Sequence, residues 1–394
     1  MYIFHFRRRH PVTAMIILLS LLPTSGALAA PYTILDLGKL SGDVSVGYSI
    51  NSSGQVAGYA TTSGNVVAHA VRVTSASPIN ANSDLGIFAG GTKSYARAIN
   101  NSGQTVGYGD RAADGVSRAF RTTPTGTIDG TADLGTVAGG ASEAYGINSS
   151  GQTVGWSSTT ADPNGSTHAF RTTATGNIDV TTDLGTLGGA NSIAYAINSS
   201  GQTVGKADAV RGYRAFRTSP TGVIDATADL GGLVSGGTSV AYGINDAGQT
   251  VGYAYNGTVS AGHKPVYHAF RTAPAGTLNP AADLGSLGGS SYAFGINASG
   301  QTVGRSFLAD ESTAHAFFND ITGPMLDLNS LIPAGSGWVL ETASGINDSG
   351  QIVGFGSIHD EVHGFVLSTP EPASLSLMAL TAVFFLRRVR TPMN

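Results

Sequence analysis

The residues best suited to chemistry recur at one position of an internal repeat. A slot whose commonest form is His-Ala-Phe occurs seven times, and its first residue is His69, Arg118, His168, Arg214, His268, His315 and His363. Histidine exchanges protons near neutral pH and binds metals. Arginine, which occupies two of the slots, binds no metal but still donates hydrogen bonds. A structural hydrogen-bond donor therefore explains every slot, whereas metal binding does not.

A second candidate lies in the run His359-Asp360-Glu361-Val362-His363. Alternate residues of an extended strand share a face, so His359, Glu361 and His363 would supply two imidazoles and one carboxylate, a set that suits zinc. The spacing differs from the helical His-Glu-x-x-His of metalloproteases, and His363 is also the seventh slot. We predict no metal and no other cofactor, and keep these three residues as the alternative.

Segments of variable length precede the slot in each unit and carry most of the distinctive side chains. Aromatic residues there could stack on sugar rings, and polar ones could bond sugar hydroxyls. The candidate ligand-binding residues are Trp156, Tyr253, Tyr255, His263, Lys264 and Tyr267. A constant scaffold with one variable loop face is typical of binding proteins. Ordinary solvated loops are the alternative.

Two further phrases repeat with the slot in fixed order. Ile-Asn-x-x-Gly-Gln begins at Ile50, Ile99, Ile147, Ile197, Ile244, Ile296 and Ile346. An Asp-Leu step precedes it each time, at Asp36, Asp84, Asp133, Asp183, Asp229, Asp283 and Asp327. Asn and Gly favour tight turns between β-prone runs. Each phrase therefore predicts a hairpin, in which the repeated Asn and Asp fix turns and contacts between units.

The repeat of about fifty residues has room for four strands, the size of a propeller blade. We predict an all-β, seven-bladed β-propeller, with a β-solenoid-like repeat array as the alternative. The segment from Tyr32 to Leu37 carries an Asp-Leu step without a unit of its own, and the seventh unit ends after Phe365 without one. We expect the N-terminal strand to complete the last blade and remove the open edge of the ring.

Composition limits the function classes. The 394 residues include 55 Gly and no Cys, and only 12% are charged. Without cysteine, disulfides, thiolate metal sites and Cys nucleophiles are excluded. The net charge of the whole chain is −4. Because both ends are basic, the body of the chain between them carries a more negative net charge than the whole. An acidic body gives no electrostatic reason to bind nucleic acid, and no catalytic constellation is recognisable. We favour a protein that is not an enzyme and leave an enzyme as the open alternative.

Residues 1–29 have the order of a secretory signal peptide. The basic run Arg7–Arg9 precedes the apolar residues 14–22, and a small-residue cleavage site is formed by Ala27 and Ala29 around Leu28. We expect the mature chain to begin near Ala30 and to consist mainly of a seven-unit domain at 30–369. An uncleaved membrane anchor is the alternative.

The C-terminus, residues 370–394, contains a Pro-Glu-Pro motif, an apolar segment at 373–386 and a basic tail. Its named residues are Pro370, Glu371, Pro372, Arg387, Arg388 and Arg390. As a helix the apolar segment would span roughly 21 Å, against a hydrocarbon core of about 30 Å. The arginines would hold its end in the cytoplasm. This order predicts a short transmembrane helix that stops export.

This C-terminal segment resembles the PEP-CTERM sorting signal of Gram-negative bacteria. The resemblance implies recognition by a membrane-embedded exosortase, cleavage near Pro370-Glu371-Pro372, and release to the cell surface or exopolysaccharide matrix. The membrane would then hold the protein through its C-terminal helix at least transiently. An ordinary C-terminal anchor is the alternative.

The repeat over residues 32–367 resembles the HAF family of extracellular repeat proteins. The chain departs from that pattern where Arg118 and Arg214 replace His and where Val71 replaces Phe. The family supplies no catalytic residues to carry over. We expect a structural or adhesive binding role associated with exopolysaccharide, and an enzyme acting on extracellular glycans is the alternative.

Overall fold

The computed structural model describes residues 32–369 except 66, 75–76, 112–114, 161–164, 211 and 261. Strands β1–β23, numbered in chain order, form seven antiparallel sheets of three or four strands each. The first strands of the sheets are β2 (Ser45–Ile50), β5 (Ser94–Ile99), β8 (Ser142–Ile147), β11 (Ser192–Ile197), β14 (Ser239–Ile244), β17 (Ser291–Ile296) and β21 (Trp338–Ile346). The second strands are β3 (Val56–Thr61), β6 (Thr105–Asp110), β9 (Thr153–Ser158), β12 (Thr203–Asp208), β15 (Thr250–Val259), β18 (Thr302–Phe307) and β22 (Ile352–Ile358).

The third strands are β4 (Ala68–Val73), β7 (Ser117–Arg121), β10 (Thr167–Arg171), β13 (Tyr213–Arg217), β16 (Pro265–Arg271), β19 (Ala314–Asn319) and β23 (Glu361–Ser368). Two sheets have a fourth strand, β1 (Thr33–Asp36) or β20 (Met325–Asp327). The described helical turns are short 3-10 segments at Ser63–Asn65, Ala81–Ser83, Val180–Thr182, Pro280–Ala282 and Leu328–Leu331.

The seven sheets are the blades of a closed propeller. Each first strand contacts the first strand of the next blade, and β2 of blade 1 contacts β21 of blade 7. The first strands are therefore innermost and surround a central channel. This arrangement confirms the predicted seven-bladed propeller and excludes the solenoid, whose ends would not meet.

The N-terminal strand closes the ring as predicted. Strand β1 pairs antiparallel with β23, with Thr33 opposite Ser368 and Asp36 opposite Phe365. Blade 7 thus contains both ends of the repeat domain, and its outer edge is covered. Such closure joins the first and last blades by backbone hydrogen bonds.

The outermost strand is shorter than the four-strand unit predicts. In blades 1–5 it is reduced to single bridges, Val71–Asp84, Phe120–Asp133, Phe170–Asp183, Phe216–Asp229 and Phe270–Asp283. The reason is that the preceding loop bonds to the neighbouring blade instead. The Ile128 N–H, for example, donates to the Leu85 carbonyl of the previous blade at 2.8 Å. The chain satisfies its backbone groups between blades rather than within one sheet.

The aromatic residue of the slot forms the core of its blade. The fully buried phenylalanines are Phe120, Phe170, Phe216, Phe270, Phe317 and Phe365. Phe120 packs in one cluster with Ala57 and Ala70 of blade 1. Burying a side chain of this size contributes about 1.5–3 kcal/mol, so the slot stabilises contacts between blades as well as within them.

The repeated asparagine forms a closed ring of hydrogen bonds. Asn51 Oδ1 accepts from the Gln55 N–H at 2.9 Å, which fixes the predicted turn. Its Nδ2 donates to the Asn100 carbonyl of the next blade at 3.0 Å. Equivalent bonds of 3.0–3.3 Å join all seven blades, the last from Asn347 to the Asn51 carbonyl. One side chain thus fixes a turn and connects two blades, and we call this set the asparagine ring.

Arginines after the slot also tie blades together, a role that the sequence analysis missed. Arg171 donates from Nη1 to the Gly201 carbonyl at 3.0 Å and from Nη2 to the Gly222 carbonyl at 3.1 Å, both in the next blade. The arginines placed this way are Arg72, Arg121, Arg171, Arg217 and Arg271. In blades 6 and 7 the position after the slot holds Phe318 and Val366 instead of arginine.

The substitution Asn198→Ala should lower the free energy of unfolding by about 1–3 kcal/mol, because it leaves the partly buried Gln202 N–H without its acceptor and removes the bond to the Asn245 carbonyl of the next blade. Urea unfolding followed by circular dichroism measures the change. The matched control Ser199→Ala removes a neighbouring exposed hydroxyl and should stay within about 0.5 kcal/mol. Equal effects of both variants would contradict a stabilising asparagine ring.

A chain beginning at residue 38 should melt at a markedly lower temperature than one beginning at residue 31, because only the shorter chain lacks β1 and exposes the edge of β23. Differential scanning calorimetry of the two truncations compares them directly. Identical melting curves would show that the pairing of β1 with β23 does not stabilise the ring.

Candidate functional site

A β-bulge in every inner strand directs one side chain into the channel. In blade 2, Ala96 pairs with Gly107 and Ala98 pairs with Val106, so Arg97 between them has no partner on β6. The same interruption occurs in each blade, three residues before the ring asparagine. A bulge re-aims the side chain of its extra residue. The bulged residues, here called the channel ring, are Tyr48, Arg97, Tyr145, Tyr195, Tyr242, Phe294 and Ser344.

The Val-Gly step of the repeat makes this bulge possible. A Cβ atom at Gly107 would overlap the carbonyl oxygen of Tyr95, and one at Gly155 would overlap that of Glu143. Only glycine allows the inner strand to approach the middle strand so closely. A glycine that looks like a turn residue in the sequence is therefore what presents the channel ring.

The channel ring lies between two parts of the channel. Toward the asparagine ring lie cavities of about 240 Å³ and 290 Å³. Toward the end that carries the variable loops lies a cavity of about 390 Å³, within the ~300–1,000 Å³ typical of small-molecule sites. This upper cavity is lined by Tyr48, Arg97, Tyr145, Tyr195, Tyr242, Phe294, Arg305, Thr342, Ser344 and Phe355.

Aromatic rings dominate the wall of the upper cavity. The ring centroids of Tyr195 and Tyr242 are 4.8 Å apart, and Tyr145 and Phe294 continue the series at 5.4 Å and 5.3 Å. Tilted contacts at these distances are favourable and hold the rings in place. The wall is thus a rigid, half-polar aromatic surface.

Blade 7 breaks the symmetry of the wall. Its channel-ring residue is Ser344, where four of the other blades have tyrosine. Beside this small side chain the cavity reaches Arg305, Thr342 and Phe355, which come from positions that the other blades keep out of the cavity. The upper cavity therefore extends beyond the channel ring next to blade 7.

The cavity wall contains two arginines and, among the described residues, no carboxylate. The Arg97 guanidinium lies 4.4 Å from the Tyr48 ring and donates from Nη2 to the Tyr108 hydroxyl at 3.1 Å. The Arg305 guanidinium lies 4.5 Å from the ring of Phe307. Stacking on aromatic faces stabilises both cations without neutralising them.

Three polar atoms of this wall are buried without a hydrogen-bond partner. They are Arg97 Nε, Arg305 Nε and Thr342 Oγ1, and the only other such atom among the described side chains is Thr105 Oγ1. Buried donors without partners are rare and costly in folded proteins. Their concentration here makes the upper cavity the candidate binding site.

The predicted ligand-binding residues lie partly elsewhere than expected. Trp156, Tyr253, Tyr255 and Tyr267 were expected in loops but lie in strands β9, β15 and β16. Regular pairing continues beyond the Val-Gly step, because β-prone residues extend the hairpin. Trp156 and Tyr253 are both next to the channel ring. The Trp156 Nε1 donates to Glu143 and to the Tyr145 hydroxyl, each at 3.3 Å.

Tyr253 packs between the inner strands of two blades. Its ring centroid lies 5.9 Å from that of Tyr242 and 4.8 Å from that of Tyr292. His263 and Lys264 do lie in the loop between β15 and β16, and Lys264 is exposed. None of the six predicted residues lines the upper cavity, and their role in binding stays a prediction.

The three residues of the alternative metal site do not form a metal-binding group in the described structure. His359 is in the turn between β22 and β23, with a positive φ of 52°. The His363 ring bonds to Asp36 at 3.0 Å and to Glu361 at 3.1 Å, and Lys39 bonds to Glu361 at 2.6 Å. These hydrogen bonds hold the pKa of Glu361 below its usual value. No group of three metal-ligating side chains occurs in the described part of the chain.

The slot histidines pair with the aspartates of the Asp-Leu steps. His168 Nδ1 lies 2.8 Å from Asp183, whose Oδ1 also accepts from the Gly185 N–H at 2.7 Å. Equivalent pairs are His69–Asp84, His268–Asp283, His315–Asp327 and His363–Asp36. Where arginine replaces histidine, Arg118 and Arg214 donate to the carbonyls of Gly140 and Gly237. The slot is a hydrogen-bond donor in every blade, as predicted.

The sequence analysis missed the channel ring. One signal could have found it, because the residue three before the ring asparagine is aromatic in five units while Arg97 and Ser344 break the series. A position that varies chemically inside a constant motif points to function more than to packing. Its direction into a channel depends on the bulge, which the sequence does not announce.

No protein-family model matches this chain, and no curated protein matches it either. The resemblances to the HAF repeat and to the PEP-CTERM signal therefore rest on the motifs alone. Among the described residues no helix is long and apolar enough to cross a bilayer. The predicted cleavage site at Ala27 and Ala29 and the sorting signal at 370–394 lie outside the described residues.

Burial raises the pKa of Tyr59 and Tyr242 to about 12, and neighbouring tyrosines contribute. Because an unfolded tyrosine ionises near pH 10, the unfolded chain loses this proton first, and stability should fall as the pH rises from about 10 to about 12. The variant Tyr242→Phe cannot ionise there and should show a shallower fall. Urea unfolding across this pH range, with tyrosinate absorbance, measures both. Equal slopes in the two proteins would contradict the assignment.

Proposed function

We propose that this protein is an exported component of the cell surface or extracellular matrix of a Gram-negative bacterium, where it binds polysaccharide. The observation that carries the proposal is the upper cavity, a concave aromatic wall with unpartnered polar atoms. Aromatic rings offer an apolar face to the C–H groups of a sugar, and tyrosine adds a hydroxyl for hydrogen bonding. Concave sites with a few convergent polar groups are the usual form of binding sites.

The geometry favours binding over catalysis on glycans. Most glycoside hydrolases place two carboxylates across the scissile bond. The described residues of the cavity wall include none, and nearby Glu143 is bonded to Trp156 and Tyr145. A role as a matrix module therefore fits better than the alternative of an extracellular glycan-acting enzyme.

The proposed location outside the cell rests on the two terminal segments. Export machinery would recognise residues 1–29, and an exosortase would process the chain near Pro370, after a membrane-anchored intermediate. One observation supports this order. Strand β1 begins at Thr33 and β23 ends at Ser368, so the hydrogen-bonded ring contains neither terminal segment. Removal of both would leave the propeller closed.

Residues 30–369 should co-sediment saturably with exopolysaccharide from the host cell. The variants Tyr195→Ala and Tyr242→Ala should each weaken this binding by about tenfold or more, roughly 1.4 kcal/mol, because buried aromatic residues dominate many binding sites. Phe318→Ala is the matched control. It truncates a partly buried aromatic residue of β19, outside the cavity, and should leave the affinity within about twofold.

Absence of saturable binding by the folded wild-type domain would overturn the polysaccharide proposal. Equal weakening by all three variants would overturn the assignment to the upper cavity. A double variant, His263→Ala with Lys264→Ala, separately tests whether the predicted loop face adds to binding.

A further inference from the structure

We propose that the upper cavity recognises a carboxylate-bearing sugar, a uronic acid residue of an acidic polysaccharide, through Arg97, Arg305 and Thr342. This inference rests on the proposed function and gives the class of its ligand. It follows from the charges of the cavity, from the state of its two guanidinium groups, and from the chemistry of the surrounding wall.

The charge of the cavity is opposite to that of the chain. The chain has 25 acidic and 21 basic residues, yet the described residues of the cavity wall include two arginines and neither Asp nor Glu. In the described structure no carboxylate lies within ion-pair distance of either guanidinium. A partly buried cation is normally paired or hydrogen-bonded, so an anionic group of a ligand is the natural partner.

The other repeat-borne arginines show how different these two are. Arg171 and Arg217 each direct a guanidinium onto carbonyl oxygens of the next blade. Arg97 and Arg305 instead face the channel, each with Nε buried and unpartnered. A carboxylate binds a guanidinium through two parallel hydrogen bonds and would satisfy such donors.

A third polar atom points to a hydroxylated ligand. Thr342 is only 5% exposed, and its Oγ1 has no hydrogen-bond partner. It lines the cavity together with Ser344 and Phe355 of the same blade. A sugar hydroxyl at this position would both donate to and accept from the threonine.

The aromatic wall distinguishes a sugar acid from a simple anion. An inorganic anion would leave Tyr195, Tyr242 and Phe294 without a ligand contact, whereas a pyranose ring has an apolar face to stack on them. Nucleic acid also stacks on aromatic residues, but its binding proteins use basic grooves that follow the phosphate backbone. Two arginines inside a closed ring of blades suit the carboxylate of one sugar residue better than a row of backbone phosphates.

The test is isothermal titration calorimetry of residues 30–369 with trigalacturonate and with galactotriose, which lacks only the carboxylates. We expect trigalacturonate to bind at least tenfold more tightly, with an affinity that falls as salt rises. Arg97→Gln and Arg305→Gln should each weaken trigalacturonate at least tenfold and change galactotriose less than threefold. Thr342→Val should weaken both sugars.

Lys93→Gln is the matched control, because it removes one exposed positive charge from the same end of the propeller. It should change neither affinity by more than twofold. Thermal melting of each variant confirms that the ring is folded, so that a loss of binding is not a loss of structure.

The outcomes separate the two proposals. Equal affinity for both sugars, unchanged by Arg97→Gln and Arg305→Gln, would overturn the sugar-acid inference while leaving polysaccharide binding intact. Binding of neither sugar, nor of host exopolysaccharide, by the folded wild type would overturn both. Preference for a short oligothymidylate over trigalacturonate would overturn the assignment to a sugar.

Discussion

Ring closure is the constraint on which the rest of this structure depends. Every blade leaves an open face that only the next blade can cover. The asparagine ring connects all seven blades through one side chain per unit, and its last hydrogen bond runs from the Asn347 side chain to the Asn51 carbonyl. The pairing of β1 with β23 closes the same circle at its outer edge. Because each asparagine also fixes its own turn, local geometry and global closure use the same side chain.

The residues that close the ring and the residues that face the channel occupy different positions along the inner strand. The asparagine that follows the inner strand must be identical in every blade. Its carbonyl accepts from the asparagine of one neighbouring blade, and its side-chain Nδ2 donates to the asparagine of the other. Three residues earlier the bulge releases the side chain from the sheet, and nothing in the ladder then restricts its type. The same unit can thus present Tyr48, Arg97 or Ser344 without disturbing the ring.

The upper cavity combines features that are unfavourable in isolation. Partly buried guanidinium groups lose hydration, and Nε atoms without acceptors lose hydrogen bonds. Aromatic stacking of Arg97 on Tyr48 offsets part of this cost, and the hydrogen bonds elsewhere in the ring supply the stability that such a site needs. Burial keeps the tyrosine hydroxyls protonated well above neutral pH, with the pKa of Tyr242 at about 12, so they act as neutral donors and acceptors around the two cations.

The sequence by itself determined the repeat, the blade number, the hairpin turns and the closing strand, because each depends on residues close in the chain or on counting units. It also determined that the slot is a donor, since Arg118 and Arg214 can donate hydrogen bonds but cannot bind a metal. Only the tertiary structure decided that Tyr195, Arg97 and Thr342 share a cavity, and that Trp156 and Tyr253 lie in strands. Those facts depend on a bulge at each inner strand and on seven units meeting around one axis. The Val-Gly step permits the bulge without showing where the side chain points, and the axis arises from packing between blades distant in sequence.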